Sequence, residues 1–250
     1  MRLLLIISIF LVTAIFADTK KQKITLGLGS YIQTQPYLHT DTVIIPSPVI
    51  FYDDGLFYIR WSRAGIYFLG DRGENLSWGF SLSVQPRVQS LDPTSSDILD
   101  GIDEKKSTFE GGLAFSLAYK DFYIESMLLT DILDHHDAWM FKTESGYDFK
   151  YGDFKFYPSL ILIYQSSNFL NYYYGVTKEE ENSSIFNSYN TSSGIQVGFQ
   201  TYIKYPLSEN LSTLLNIRVD KLPKTVKDSP LIETDLIYSG LLSLIYTFEY

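Results

Sequence analysis

The densest group of chemically capable side chains in this chain is Asp134-His135-His136-Asp137. Imidazole and carboxylate together make a ligand set for zinc or copper, with Asp131 or Asp134 as the carboxylate. Adjacent residues of an extended segment point to opposite sides, so both rings reach one ion only where the chain turns. A solvated outer loop between two strands explains the same run without a metal. The remaining histidine, His39, falls in a different predicted loop. Nucleophilic catalysis needs a nucleophile, a base and an orienting group in contact, and no serine here sits in a Gly-x-Ser-x-Gly elbow. Asp53, Asp54 and Asp131 offer a paired-carboxylate arrangement, yet Asp53-Asp54-Gly55 reads more simply as a hairpin turn. Gly27-Leu28-Gly29 lacks the third glycine and the following helix of a dinucleotide loop. On a strand such glycines mark a bend or close packing. Glu179-Glu180-Glu181 reads as a solvated loop face. No catalytic set and no cofactor motif emerges.

The elements that would position these residues are strands, because period-two alternation recurs from end to end. Leu76, Trp78, Phe80, Leu82 and Val84 oppose Ser77, Gly79, Ser81, Ser83 and Gln85. Leu113, Phe115, Leu117 and Tyr119 oppose Gly112, Ala114, Ser116 and Ala118. Trp139, Phe141, Tyr147 and Phe149 oppose Lys142, Glu144, Gly146, Asp148 and Lys150. The same contrast runs through 194–205 and 211–220. The second faces are small, polar or charged, which suits a wet lumen and not the inside of a dry sandwich. In the tail, Leu242, Leu244, Tyr246, Phe248 and Tyr250 share one face, with Thr247 and Glu249 on the other. A strand with three aromatics on one side is the signature of a wall that meets lipid and its interface.

These patterns predict an all-β fold, an antiparallel transmembrane β-barrel of about twelve strands, with ten as the alternative. The strands are expected at 24–32, 46–53, 56–61, 64–70, 75–87, 109–119, 122–131, 138–150, 153–165, 188–205, 209–221 and 234–250. Short and long connections alternate between them, as in outer-membrane barrels with tight periplasmic turns and long outer loops. The break at Ser62-Arg63 is the exception, being short where an outer loop is due. Residues 1–17 read as a secretory signal peptide and 18–250 as one barrel domain. Cysteine is absent, which rules out a disulfide framework and a Cys-ligated metal. Aromatics reach 16%, which suits interface girdles. A net charge of −9 argues against nucleic acid as a partner. The expected surroundings are the lipid bilayer of the bacterial outer membrane, and the expected reader of Tyr246, Phe248 and Tyr250 is the barrel-assembly machinery.

Several spaced elements together resemble the MipA/OmpV family of bacterial outer-membrane proteins. They run from Gln35-Pro36-Tyr37 through Gly65, Leu99-Asp100-Gly101, Glu110-Gly111-Gly112 and Asp131 with His135. Tyr173-Tyr174-Gly175-Val176, followed by Glu179 and Glu180, is the most distinctive. Asp228-Ser229-Pro230 and Tyr246-x-Phe248 complete the series. Glu249-Tyr250 extends beyond the Tyr-x-Phe unit at which the family typically closes. The resemblance implies an outer-membrane protein without enzymatic activity. It also implies a scaffold linking a lytic murein transglycosylase to a murein synthase, or a role in envelope responses or adhesion. The residues themselves leave two other functions open: a solute-binding or channel-forming barrel, and a surface adhesin acting through its long loops. The outcome turns on whether the loops around Tyr173–Val176 and Asp228–Pro230 enter the lumen.

Overall fold

The alternation closes into an antiparallel barrel in the computed structural model, which describes residues 23–249. The expected signal peptide, residues 1–17, and Tyr250 lie outside the described residues. The wall is built from β1 (Lys23–Gln33), β2 (Val43–Asp53), β3 (Phe57–Arg60), β4 (Arg63–Arg72), β5 (Leu76–Arg87) and β6 (Thr108–Tyr119). It continues with β7 (Phe122–Asp131), β8 (Trp139–Tyr147), β9 (Phe149–Tyr151), β10 (Phe154–Gln165), β11 (Gly194–Pro206), β12 (Leu211–Lys221) and β13 (Leu236–Glu249). β8 and β9 share one wall position: both pair with β10, and Gly146↔Ser159 and Phe149↔Phe156 keep a single register across Asp148. Twelve positions therefore go round, closed by β13 on β1 and β10 on β11. Closure pairs the strands around the ring, as a wall in hydrocarbon requires, except where β2 runs above the short β3–β4 hairpin.

The side-chain phase follows the sequence. Leu26, Leu28, Leu82, Leu113, Leu128, Phe141, Leu160, Phe199, Leu242 and Leu244 are exposed on the outer surface. Aromatics flank this band at both ends, as interface girdles do. Phe109, Trp139, Tyr164 and Tyr238 lie toward the long loops, and Tyr119, Phe122, Tyr147, Phe154, Tyr205, Tyr246 and Phe248 toward the short turns. The asymmetry of turns and loops assigns the turn end, with both barrel termini, to the periplasm. Asp53-Asp54-Gly55 is the hairpin turn the sequence predicts: the Asp54 carboxylate accepts the N–H of Leu56 at 2.8 Å and of Phe57 at 2.6 Å. Gly27 marks close packing, since a Cβ there would sit 2.6 Å from Cγ2 of Ile245.

The irregular break at Ser62-Arg63 is a short hairpin that stops below the outer rim. Its tip residue Trp61 takes a φ of 54° and turns its indole into the lumen, donating to Oγ of Ser47 at 2.9 Å. Above the hairpin, β2 is an unpaired edge. Ile50 O accepts from Trp61 N at 2.8 Å, so residues 46 and 48 turn their backbone groups to that same edge. Both are proline, which removes the N–H groups through which another strand would pair. A second difference concerns the start of β11, expected at 188 and observed at Gly194. The side chain of Asn171 accepts the N–H of Thr191 at 2.7 Å and donates to its carbonyl at 3.2 Å. Residues 188–193 are thereby held under the loops and not in the wall.

Candidate functional site

The outer half of the lumen is filled by loops. The 166–193 connection carries helix α1 (Ser167–Tyr174) and helix α2 (Lys178–Ser183), and the 222–235 connection carries the single turn α3 (Lys224–Lys227). α1 starts on a Ser166 cap that accepts from Phe169 N, and it presents Phe169, Leu170, Tyr173 and Tyr174 as fully buried side chains. They pack with Leu91, Leu99 and Ile102 of the 88–107 loop, and with Tyr37, Val226 and Leu231. The same cluster includes Ala114, Met127, Leu129, Met140, Ile161 and Ile163, which are inward-facing wall residues. Loop and wall thus share one apolar core, and the connections act as a plug.

Ring contacts and hydrogen bonds set the plug's geometry. Phe169 and Tyr173 lie 5.0 Å apart and Tyr172 and Tyr173 4.9 Å, each such pair contributing about 0.5–1.5 kcal/mol beyond area burial. The Tyr37 hydroxyl donates to the Tyr173 carbonyl at 3.1 Å, and the Tyr173 hydroxyl donates to the Lys106 carbonyl at 3.2 Å. Burial pushes the phenols of Tyr37, Tyr173 and Tyr174 above their ordinary pKa, so all three stay neutral. Ser229 Oγ donates to the Tyr174 carbonyl at 2.6 Å. Beneath the helix, Arg87 pairs with Glu110, places its guanidinium 4.8 Å from the Phe169 ring and donates to Met140 Sδ at 3.2 Å.

α2 is seated by one carboxylate. Thr177 and Glu180 form a capping box, and Glu180 Oε1 also takes Lys105 Nζ at 2.7 Å and Asp103 N at 3.0 Å. Burial opposes ionisation of Glu180, but the Lys105 bond and the N–H groups of Thr177 and Asp103 hold its pKa below the usual carboxylate range. The middle of Glu179-Glu180-Glu181 is therefore buried at 2% exposure, a correction to the solvated face the sequence suggested. A charged run hides such a residue because the partner, Lys105, is 75 positions away.

The sequence-singled residues divide into two ends. Tyr173, Tyr174, Gly175 and Val176 are brought together with Ser229 inside the plug, while Asp228 is exposed at its rim and Pro230 is partly buried. Tyr246 and Phe248 stand at the opposite end on the outer surface, their rings 4.7 Å apart. In the Asp134–Asp137 loop, the histidines do not converge. His136 turns its ring onto Phe169, Tyr172 and Tyr173, with centroids 5.3, 5.4 and 5.6 Å away. Both of its nitrogens are buried without a hydrogen-bond partner among the described residues. Asp131 is engaged by the N–H groups of Leu133, His135 and His136 and by the Thr108 hydroxyl. It organises the loop, and its oxygens are taken. Among the described residues, no group of three or more His, Asp or Glu side chains gathers at metal-binding distance. α1 went unread in the sequence; Thr177-x-x-Glu180 was a readable capping-box signal for α2.

Below the plug, wall side chains cross the lumen. Glu125 on β7 pairs with Arg63 on β4 and, at 3.1 Å, with Arg60 on β3. Glu144 on β8 accepts from Tyr123 at 3.0 Å, Ser159 at 2.9 Å and Gln200 at 2.7 Å. Trp61 contacts Tyr31 and Tyr202 at 5.7 and 6.4 Å, beside a second apolar cluster of Val49, Leu214, Leu241 and Ile245. The arrangement is a closed, layered interior in which every charge named here has a partner. Its chemical capacity is to hold and to block.

A family description, MltA-interacting protein MipA, matches residues 26–248. The MltA-interacting protein of Escherichia coli K12 is 25% identical over 247 residues, 99% of this chain and 98% of that relative. The putative outer membrane protein YiaT of the same organism is 23% identical over 234 residues, 93% of this chain and 94% of that one. Among solved structures, an outer membrane channel from Pseudomonas putida F1 aligns with a TM-score of 0.49 at 12% identity, covering 94% of this chain and 98% of the channel.

Proposed function

From the premise that the chain belongs to the MltA-interacting protein MipA family, we propose that it is a non-enzymatic outer-membrane scaffold. Its partners on this reading are a lytic murein transglycosylase and a murein synthase, and its task is envelope maintenance. The observation that carries the reading is the loop plug. A lumen closed by Phe169, Tyr173, Tyr174 and Leu231 at one level, and crossed by Arg60, Arg63 and Glu125 at another, is poorly suited to free conduction. The loops that an adhesin would display are turned inward. Tyr246, Phe248 and Tyr250 serve on this reading as the segment that the barrel-assembly machinery reads, leaving the rest of the periplasmic end for partners. Capture of a purified lytic transglycosylase by the detergent-solubilised barrel is the test, and no capture above an unrelated barrel would count decisively against the scaffold.

A second reading has its own observation. Arg60, Arg63, Lys142 and Arg218 face inward in ion pairs with Glu125, Glu144 and Asp220, a polar lining that suits small charged solutes if the plug moves. Planar-bilayer recordings separate the two, because a conducting pathway gives discrete steps and a scaffold gives none.

A further inference from the structure

The inward charges named at mid-lumen are paired, but Lys150, Lys155 and Lys204 at the periplasmic mouth are not. Lys150 on β9 stands directly opposite Lys155 on β10, and Lys155 stands directly opposite Lys204 on β11. The register places all three on the inner face, in line with Tyr157 and Asp148 one step above. Like charges opposite one another across a ladder destabilise it. Here three occur in a row, and none has an ion-pair or hydrogen-bond partner among the described residues. Lys23 is close enough for its charge to act on Lys204 as well, although Lys23 itself pairs with Glu249 at 2.5 Å. Lys150 and Lys155 are exposed and Lys204 is half-buried, so the row opens to the periplasm and not into the packed interior. An arrangement that costs the wall stability, without a local compensation, is the kind of departure found at functional sites.

We propose that the Lys150–Lys155–Lys204 row docks an acidic peptide segment of the periplasmic partner. The inference rests on the scaffold reading in identifying that partner as a murein enzyme. Adjacent strands lie about 4.8 Å apart, so the three ammonium stems are spread over roughly 10 Å, which matches several carboxylates along a chain better than one small anion. Lysines act as mobile point charges without the fork that fixes a planar ligand, which suits a flexible acidic segment. The site also answers a problem of area. The turns at 54–56, 73–75, 120–121, 152–153 and 207–210 are short, while a stable protein interface takes about 800 Å² from each partner. An inserted segment adds contact area inside the mouth that the turns do not supply.

The test uses the whole barrel in detergent micelles and a fluorescent oligoglutamate peptide, followed by anisotropy at low and high salt. The expected result is salt-sensitive binding that weakens by about tenfold or more in the variant combining Lys150→Gln, Lys155→Gln and Lys204→Gln. The same loss is expected for the single variant Lys155→Glu, which sets an opposite charge between the other two. Both variants relieve repulsion, and heat-modifiable migration on gels confirms that the barrel stays folded. Lys178→Gln with Lys224→Gln, at the loop end, leaves binding unchanged. Equal binding by the triple variant, or displacement of the peptide by inorganic phosphate at matching concentration, overturns the inference. Transglycosylase capture is measured in parallel. Capture by both wild type and triple variant leaves the scaffold standing and the row refuted. Peptide binding that depends on the row, with no transglycosylase capture by wild type, refutes the scaffold and keeps the row as an acidic-segment site.

Discussion

The two halves of the lumen are closed by different means. In the outer half, chain from the 34–42, 88–107, 166–193 and 222–235 connections is folded in, and the filling is aromatic and apolar around Phe169, Tyr173 and Tyr174. In the inner half, the wall closes itself with its own inward side chains, largely charged and paired across the barrel as in Glu125 with Arg60 and Arg63. The difference teaches that closure and wall integrity are separable in one half and inseparable in the other. Loop residues contribute few strand hydrogen bonds, so the plug can open without the ladder breaking. The charged layer cannot, because its members belong to the strands.

Phe169→Ala should have the largest effect. Removing a fully buried ring at the centre of the plug costs about 3–5 kcal/mol, taken from the packing that seats the loops on the wall. Hydrogen exchange should show residues 166–176 losing protection while the ladder amides of β6, β7 and β8 keep theirs. Equal loss in both would erase the distinction between the halves. Glu125→Gln comes next, at about 2–4 kcal/mol, because it leaves Arg63 and Arg60 without their shared partner. The figure is set below that of a fully buried pair because the Arg60 side chain is 34% exposed. Denaturant titration of the whole barrel should register this loss, with plug protection unchanged at low denaturant.

The smallest effect is a pH dependence confined to the plug. Burial and the nearby Arg87 hold the His136 pKa below its ordinary value, against the pull of Asp131 and Glu110, with His135 adding to the depression. The folded plug thus prefers neutral imidazole, whereas the unfolded chain titrates near about 6.5. Below that value the unfolded state binds more protons, so plug stability is complete above it and declines as pH falls through the folded value. Protection factors of residues 166–176, taken relative to the intrinsic exchange rate at each pH, should fall between neutral and mildly acidic pH, and His136→Phe should flatten the profile. An unchanged slope in that variant would show that another group governs the plug.

Much of the wall was legible because alternation needs only a strand's own residues. The faces of 76–85, 112–119 and 194–205 are read directly, since one side must meet lipid and the other must not. The one-residue interruption at Asp148 was not legible, because the residues on either side keep the same phase and register. The plug was legible in part. Tyr173–Val176 and Asp228–Pro230 stood out as motifs, yet the bond from Ser229 to the Tyr174 carbonyl joins positions 55 apart and leaves no local trace. Glu180 and Lys105 were hidden for the same reason, and His136 read as part of a solvated loop because nothing near it in sequence announces the rings that enclose it.

By itself the sequence determined the compartment, the barrel, the faces of its strands and the aromatic girdles, all of which follow from periodicity against a fixed solvent. Tertiary structure decided whether the barrel is open. That depends on where the long connections come to rest, and loop placement is set by contacts between segments far apart in the chain. It also decided that Lys150, Lys155 and Lys204, scattered over three strands, stand side by side, because strand register alone converts distance in sequence into adjacency in space.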